Sequence, residues 1–122
     1  MSTIVFCEDD TVIQRLIKVA TRSLPHTVHV VGDGALGLET IERERPTVVF
    51  TDLAMPGADG RQLIQAMHAR PELADIPIVV MTASGLSRGE LDDLLHCGAA
   101  DYLAKPFGPA DLRAKLENVL AR

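Results

Sequence analysis

The chain has 122 residues, a net charge of −5, and 47% apolar and 24% charged residues. That length and balance suit one globular domain with its own core and exclude an intrinsically disordered chain. The acidity argues against a nucleic-acid-binding surface, which needs clustered Lys and Arg, and no apolar run is long enough to span a bilayer.

In chain order, Ile4-Val5-Phe6-Cys7 has strand length and no polar alternation, as expected of a strand covered on both faces. It delivers three successive acids, Glu8-Asp9-Asp10. Val12, Ile13, Leu16, Ile17, Ala20 and Leu24 recur at helical spacing and predict a helix over about 11–24. Val28 to Val31 predicts a second strand. Gly32-Asp33-Gly34 reads as turn chemistry before a helix marked by Ala35, Leu38 and Ile41. A third strand, Val48-Val49-Phe50, leads to Asp52 just past it, and Asp59-Gly60 opens a helix carrying Leu63, Ile64 and Met67. The fourth strand, Ile78 to Met81, leads into Thr82-Ala83-Ser84, and Ser87 starts a helix marked by Leu91, Leu94 and Leu95. The short run Asp101-Tyr102-Leu103 is followed by Lys105-Pro106. Pro109 suits the first turn of a last helix bearing Leu112, Leu116, Val119 and Leu120.

Strict alternation of strand and helix implies right-handed crossovers and a parallel sheet covered on both faces. Such sheets bind ligands at the carboxyl ends of their strands. Glu8, Asp9, Asp10 and Asp52 converge there, opposite Thr82 and Lys105. Several carboxylates on one edge repel one another unless a cation holds them, and an all-oxygen set favours Mg²⁺ or Mn²⁺. With a lysine and a hydroxyl facing them, the set reads as a phosphoryl-transfer site. The chain has no P-loop, and its four histidines have no metal-ligand spacing. Cys7 and Cys97 match no metal or redox spacing and read as reduced thiols, Cys7 as a buried apolar residue. A carboxylate can itself attack phosphorus, and Asp52 is the central acid. Each residue also has a structural reading: Asp10 and Asp59 as helix starts, Thr82 as a turn cap, Lys105 as a solvated surface residue, Tyr102 as a packed aromatic.

At this point the chain resembles the receiver domain of two-component response regulators, of the single-domain chemotaxis type. The resemblance spans essentially residues 1–122. It rests on the acids after the first strand, "VVFTDLAMPGADG", "VVMTA" and "GAADYLAKPF". It implies a doubly wound, flavodoxin-like α/β domain with five strands in order 2-1-3-4-5 and five helices. By position, Asp52 is then the phospho-acceptor, and Glu8 and Asp9 with the Ala54 backbone carbonyl complete the metal site. Thr82 becomes the switch hydroxyl, Lys105 and the Ala83 backbone amide contact the phosphoryl group, and Tyr102 is the rotating aromatic. The Lys105-Pro106 bond is expected cis. Asp9 and Asp10 are the competing metal pair; Glu8 and Asp9 are preferred because they place Val12, Ile13 and Leu16 on the expected helix face. Ala54 lacks a polar side chain to orient a hydrolytic water, which shifts hydrolysis to Ser84 or a partner phosphatase.

The implied partners are a sensor histidine kinase or histidine phosphotransfer protein and a downstream protein target, with no nucleic acid and no membrane. The protein is expected to be cytoplasmic, monomeric or dimeric on phosphorylation, and to catalyse only its own phosphorylation and dephosphorylation. A receiver-like binding module that works without phosphorylation is the alternative. An FMN binder would need a phosphate-cradling loop where the three acids stand. A phosphatase of the aspartyl type would need a second acid at Ala54.

Overall fold

The apolar runs pair as parallel strands in the computed structural model, which describes residues 2–83 and 87–122, Ala83 by its backbone alone. The strands are β1 (Thr3–Cys7), β2 (Thr27–Val31), β3 (Val48–Asp52), β4 (Ile78–Ala83) and β5 (Asp101–Lys105), in the order β2-β1-β3-β4-β5. The helices are α1 (Thr11–Thr21), α2 (Gly34–Glu44), α3 (Gly60–His68), α4 (Arg88–His96) and α5 (Pro109–Leu120). This is the expected flavodoxin-like arrangement. The strand order reverses at β1, so the carboxyl ends of β1 and β3 flank the crevice where such sheets bind ligands.

Strand side chains alternate between faces, and both faces here are buried. Ile4, Phe6, Phe50 and Met81 meet Ile17, Leu112 and Leu116 of α1 and α5 on one side. Val5, Cys7, Val49 and Val80 meet Ile41, Leu63 and Leu94 of α2, α3 and α4 on the other. Phe6 and Phe50, neighbours in register, stack with ring centroids 4.8 Å apart. They make the floor under the ends of β1 and β3 stiff.

Four helices begin on side-chain caps. Asp10, Asp33, Asp59 and Ser87 each accept bonds from the first-turn amides of α1, α2, α3 and α4. Asp59 and Ser87 form full capping boxes with Gln62 and Glu90.

Three local expectations change. The first helix stops at Thr21 rather than near residue 24, because Leu24 continues the apolar pattern from a turn closed by its N–H donating to the Thr21 carbonyl at 3.1 Å. Leu24 still packs on the core, and Pro25 follows. Val12 is 75% exposed, since the buried stripe of α1 is centred on Ile17 and Ala20 with Ile13 packed beside them. The third and fifth strands run two residues further than their apolar runs, through Asp52 and Lys105, so both site residues sit on regular strand. Ser84 lies outside the described residues.

Candidate functional site

The register Cys7↔Thr51 places Glu8 just past β1 beside Asp52 at the end of β3. The Glu8 N–H continues the ladder, donating to the Val31 carbonyl at 2.8 Å. Asp10 turns away from this edge: its Oδ1 accepts from the amides of Val12 at 2.8 Å and Ile13 at 3.1 Å. The carboxylates left facing one another are Glu8, Asp9 and Asp52, each offering an oxygen within 4.8 Å of the others.

Lys105 reaches into this group from the end of β5. Its Nζ lies 2.9 Å from Asp52 Oδ2 and 2.7 Å from Glu8 Oε1. Asp52 is held from its other side, where the Leu53 amide donates to Oδ1 at 2.8 Å. Glu8 is wholly buried. Its Oε2 accepts from the Asp10 amide at 3.1 Å, while Oε1 has a close ammonium but no well-directed hydrogen bond among the described residues. Burial pushes the Glu8 carboxyl above the usual range, and the negative charge of Asp52 adds to this, against the opposing pull of Lys105 and the Asp10 amide. Burial alone would depress Lys105, but Glu8 and Asp52 outweigh it and hold its pKa above the usual lysine value.

This donor set suits a hard divalent cation. Three carboxylates converge with only oxygen to offer, and one buried oxygen, Glu8 Oε1, lacks a directed partner among the described residues. Octahedral Mg²⁺ takes few protein ligands and keeps positions for water and phosphate.

The loop after Asp52 is pinned to its surroundings. The Gly60 amide donates to the Leu53 carbonyl at 2.8 Å, and the Gly34 amide to the Pro56 carbonyl at 2.9 Å. A Cβ on Gly34 would lie 1.8 Å from the Ala58 carbonyl oxygen, so the start of α2 can meet this loop only as glycine. Ala54 lies exposed within the loop. Thr82 is buried near the end of β4, level with Ala104, and Ala83 is level with Lys105. Tyr102 is level with Val80 and 36% exposed. The Lys105-Pro106 bond is cis.

The arrangement thus gathers Glu8, Asp9, Asp52 and Lys105 and leaves Tyr102 at the surface of β5. Sequence reasoning missed the direct contact of Lys105 with Glu8, which depends on strands three places apart in the sheet and has no local signal. It also missed the anchoring of Asp101, whose Oδ2 lies 3.2 Å from Lys115 Nζ and 2.7 Å from an Arg122 guanidinium nitrogen. His29 is half-buried in β2 with Nε2 3.3 Å from Glu44 Oε1.

Residues 4–117 match the family described as response regulator receiver domain. The transcriptional regulatory protein CseB of Streptomyces coelicolor is 32% identical over 122 residues, 98% of this chain and 49% of that protein. The chain therefore spans about half the length of the curated relatives it matches. The receiver domain of the sensor histidine kinase PA1611 from Pseudomonas aeruginosa was solved with a magnesium ion coordinated in its active-site cleft. It is 32% identical, with a TM-score of 0.87 over 99% of this chain and 98% of that one. The BeF3-activated N-terminal receiver domain of RstA from Klebsiella pneumoniae is 34% identical, with a TM-score of 0.85 over 98% of this chain and 99% of that one.

Proposed function

The chain belongs to the response regulator receiver domain family of two-component systems, and from that premise we propose that Asp52 accepts a phosphoryl group in a Mg²⁺-dependent reaction. The observation that carries the reading is the convergence of Glu8, Asp9 and Asp52 within 4.8 Å, with Lys105 Nζ 2.9 Å from Asp52.

In this reading the donor is the phosphohistidine of a sensor histidine kinase or histidine phosphotransfer protein. An Asp52 oxygen attacks phosphorus in line and the P–N bond breaks. The electron pair stays on the imidazole nitrogen, which takes up a proton. Glu8, Asp9, Asp52 and the Ala54 carbonyl would hold the Mg²⁺, which supplies charge neutralisation at the phosphoryl oxygens when bound. Lys105 remains beside Asp52 and offsets the negative charge that arrives, and the Ala83 amide donates to a phosphoryl oxygen. Thr82 moves to donate a hydrogen bond to the same group. Tyr102 follows it and changes the face of β5 and α4 that a downstream protein reads. The whole domain, residues 1–122, acts as one switch in the cytoplasm, and its direct partners are proteins rather than nucleic acid. Its own catalysis is confined to gaining and losing the phosphoryl group. Ala54→Asn, by supplying a polar group to orient water, changes the dephosphorylation rate; an unchanged rate removes Ala54 from the account of hydrolysis.

The test is intact mass after incubation with Mg²⁺ and a small acyl phosphate, beside Asp52→Ala and a chelated control. One added phosphoryl group, absent from both controls, is the expected result. If no sample is modified and beryllofluoride with Mg²⁺ also fails to bind, the proposal fails and the phosphorylation-independent binding module takes its place.

A further inference from the structure

Gln14, on the inner flank of α1, lies outside the acidic cluster but is bonded to its backbone. Its Nε2 donates to the Glu8 carbonyl oxygen at 2.6 Å. That carbonyl accepts only, so the amide must present nitrogen, and the side chain has one orientation there. Gly32, at the end of β2, makes room for the contact. A Cβ at Gly32 would stand 3.2 Å from Gln14 Nε2, 3.7 Å from the Glu8 carbonyl oxygen and 3.9 Å from the Asp9 Cα.

The Glu8 carbonyl belongs to the peptide unit that joins Glu8 to Asp9. A planar peptide held at its oxygen fixes the direction in which the Asp9 Cα leaves β1. The remaining restraints on the turn bear on Glu8 itself or on Asp10. Glu8 N–H is tied to Val31, Glu8 Oε2 takes the Asp10 amide, and the Asp10 side chain caps α1. Asp9 is exposed, and Gln14 is the side chain tied to the peptide that aims it.

We infer that Gln14 is a positioning residue for the divalent cation, acting through the Glu8–Asp9 peptide to set the Asp9 carboxylate against Glu8 and Asp52. The inference rests on the metal-site reading above and adds a residue to it. Groups that orient metal ligands typically change affinity by ten- to a hundredfold when removed, and one acting through backbone belongs near the lower end, about tenfold.

The experiment is calorimetric titration of Mg²⁺ into the wild type, Gln14→Met and Gln14→Lys, with thermal unfolding and amide exchange of each metal-free protein. Gln14→Met keeps the length of the side chain without a donor, and Gln14→Lys restores one. The expected result is a Kd about tenfold weaker for Gln14→Met, recovered in part by Gln14→Lys, with faster exchange of the Asp10 amide in Gln14→Met. A filler role would lower the melting temperature and leave Kd and exchange alone, and that result overturns the inference. Equal Kd in wild type and Gln14→Met also overturns it while sparing the metal site. Absence of Mg²⁺ binding by the wild type itself overturns both, and is told apart because it appears before any substitution.

Discussion

Removing the ammonium of Lys105 should destabilise the metal-free protein in a pH-dependent way that Mg²⁺ reverses. Its Nζ lies 2.7 Å from a carboxylate with no exposed surface and 2.9 Å from a second that is 15% exposed. With an effective dielectric constant of 20, each contact is a gross attraction of about 6 kcal/mol. Desolvation of three charged groups and repulsion between the two carboxylates cancel much of that. Deleting one partner of a buried pair costs about 3–5 kcal/mol. The Lys105 side chain keeps 18% of its surface in water, which places Lys105→Met near the lower end, about 3 kcal/mol at pH 8.

The folded pKa of Glu8 already lies above its ordinary value of 4.5. A raised carboxyl favours folding while protonated, so Glu8 costs stability as pH rises through the folded value. Without Lys105 the folded value rises further, and the gap between variant and wild type should widen from pH 5 to pH 8. Urea unfolding in chelator reads this as a midpoint lower by about 1–2 M at pH 8 and a smaller difference at pH 5. Mg²⁺ should recover part of the loss, since a cation replaces the missing ammonium. A loss equal at both pH values, or untouched by Mg²⁺, refutes the assignment of Lys105 as counter-charge to Glu8.

Asp10→Ala should cost about 1 kcal/mol of stability through the lost cap of α1, with Mg²⁺ affinity unchanged; a weaker Mg²⁺ Kd would restore Asp9 and Asp10 as the metal pair. Asp101 is buried enough to raise its pKa, but the Tyr102 amide, Arg122 and Lys115 outweigh burial and hold it below the ordinary 3.8. Its contribution, about 1 kcal/mol by urea unfolding at pH 7, should fade as pH falls below 3.8 through the depressed folded value, so wild type and Asp101→Asn converge in acid. A constant gap would count against the ion pairs. Burial pushes the Cys7 thiol up to about 12, so iodoacetamide at pH 8 should label native protein at the exposed Cys97 and reach Cys7 only in urea. Equal labelling of both in the native state contradicts that burial.

The strands were legible because their burial on both faces leaves unbroken apolar runs, and the helix starts because Asp33, Asp59, Ser87 and Pro109 are local signals that act locally. Ends were less legible: Leu24 keeps helical phase from a turn, and Asp52 and Lys105 are strand residues without strand character. At the site, periodicity placed acids at a strand end, and only the family pattern favoured Glu8 and Asp9 over Asp9 and Asp10. That choice depends on which carboxylate meets the α1 amides. Gln14 and Asp101 escaped notice because their partners are decided by tertiary packing, across which a single sequence carries no spacing rule.

Within three residues, the connection from β1 to α1 supplies a buried acid, an exposed acid and a helix cap. Insertion of one residue after Glu8 would put Asp9 in the cap position, or force the turn to bulge to keep Asp10 there. It would also lengthen by one residue the spans closed by the Asp10 amide on Glu8 Oε2 and by Gln14 Nε2 on the Glu8 carbonyl. The connection has no slack. Its length is under tighter physical constraint than any one of its side chains, and exchange of an acid here should be survived more readily than an added or deleted residue.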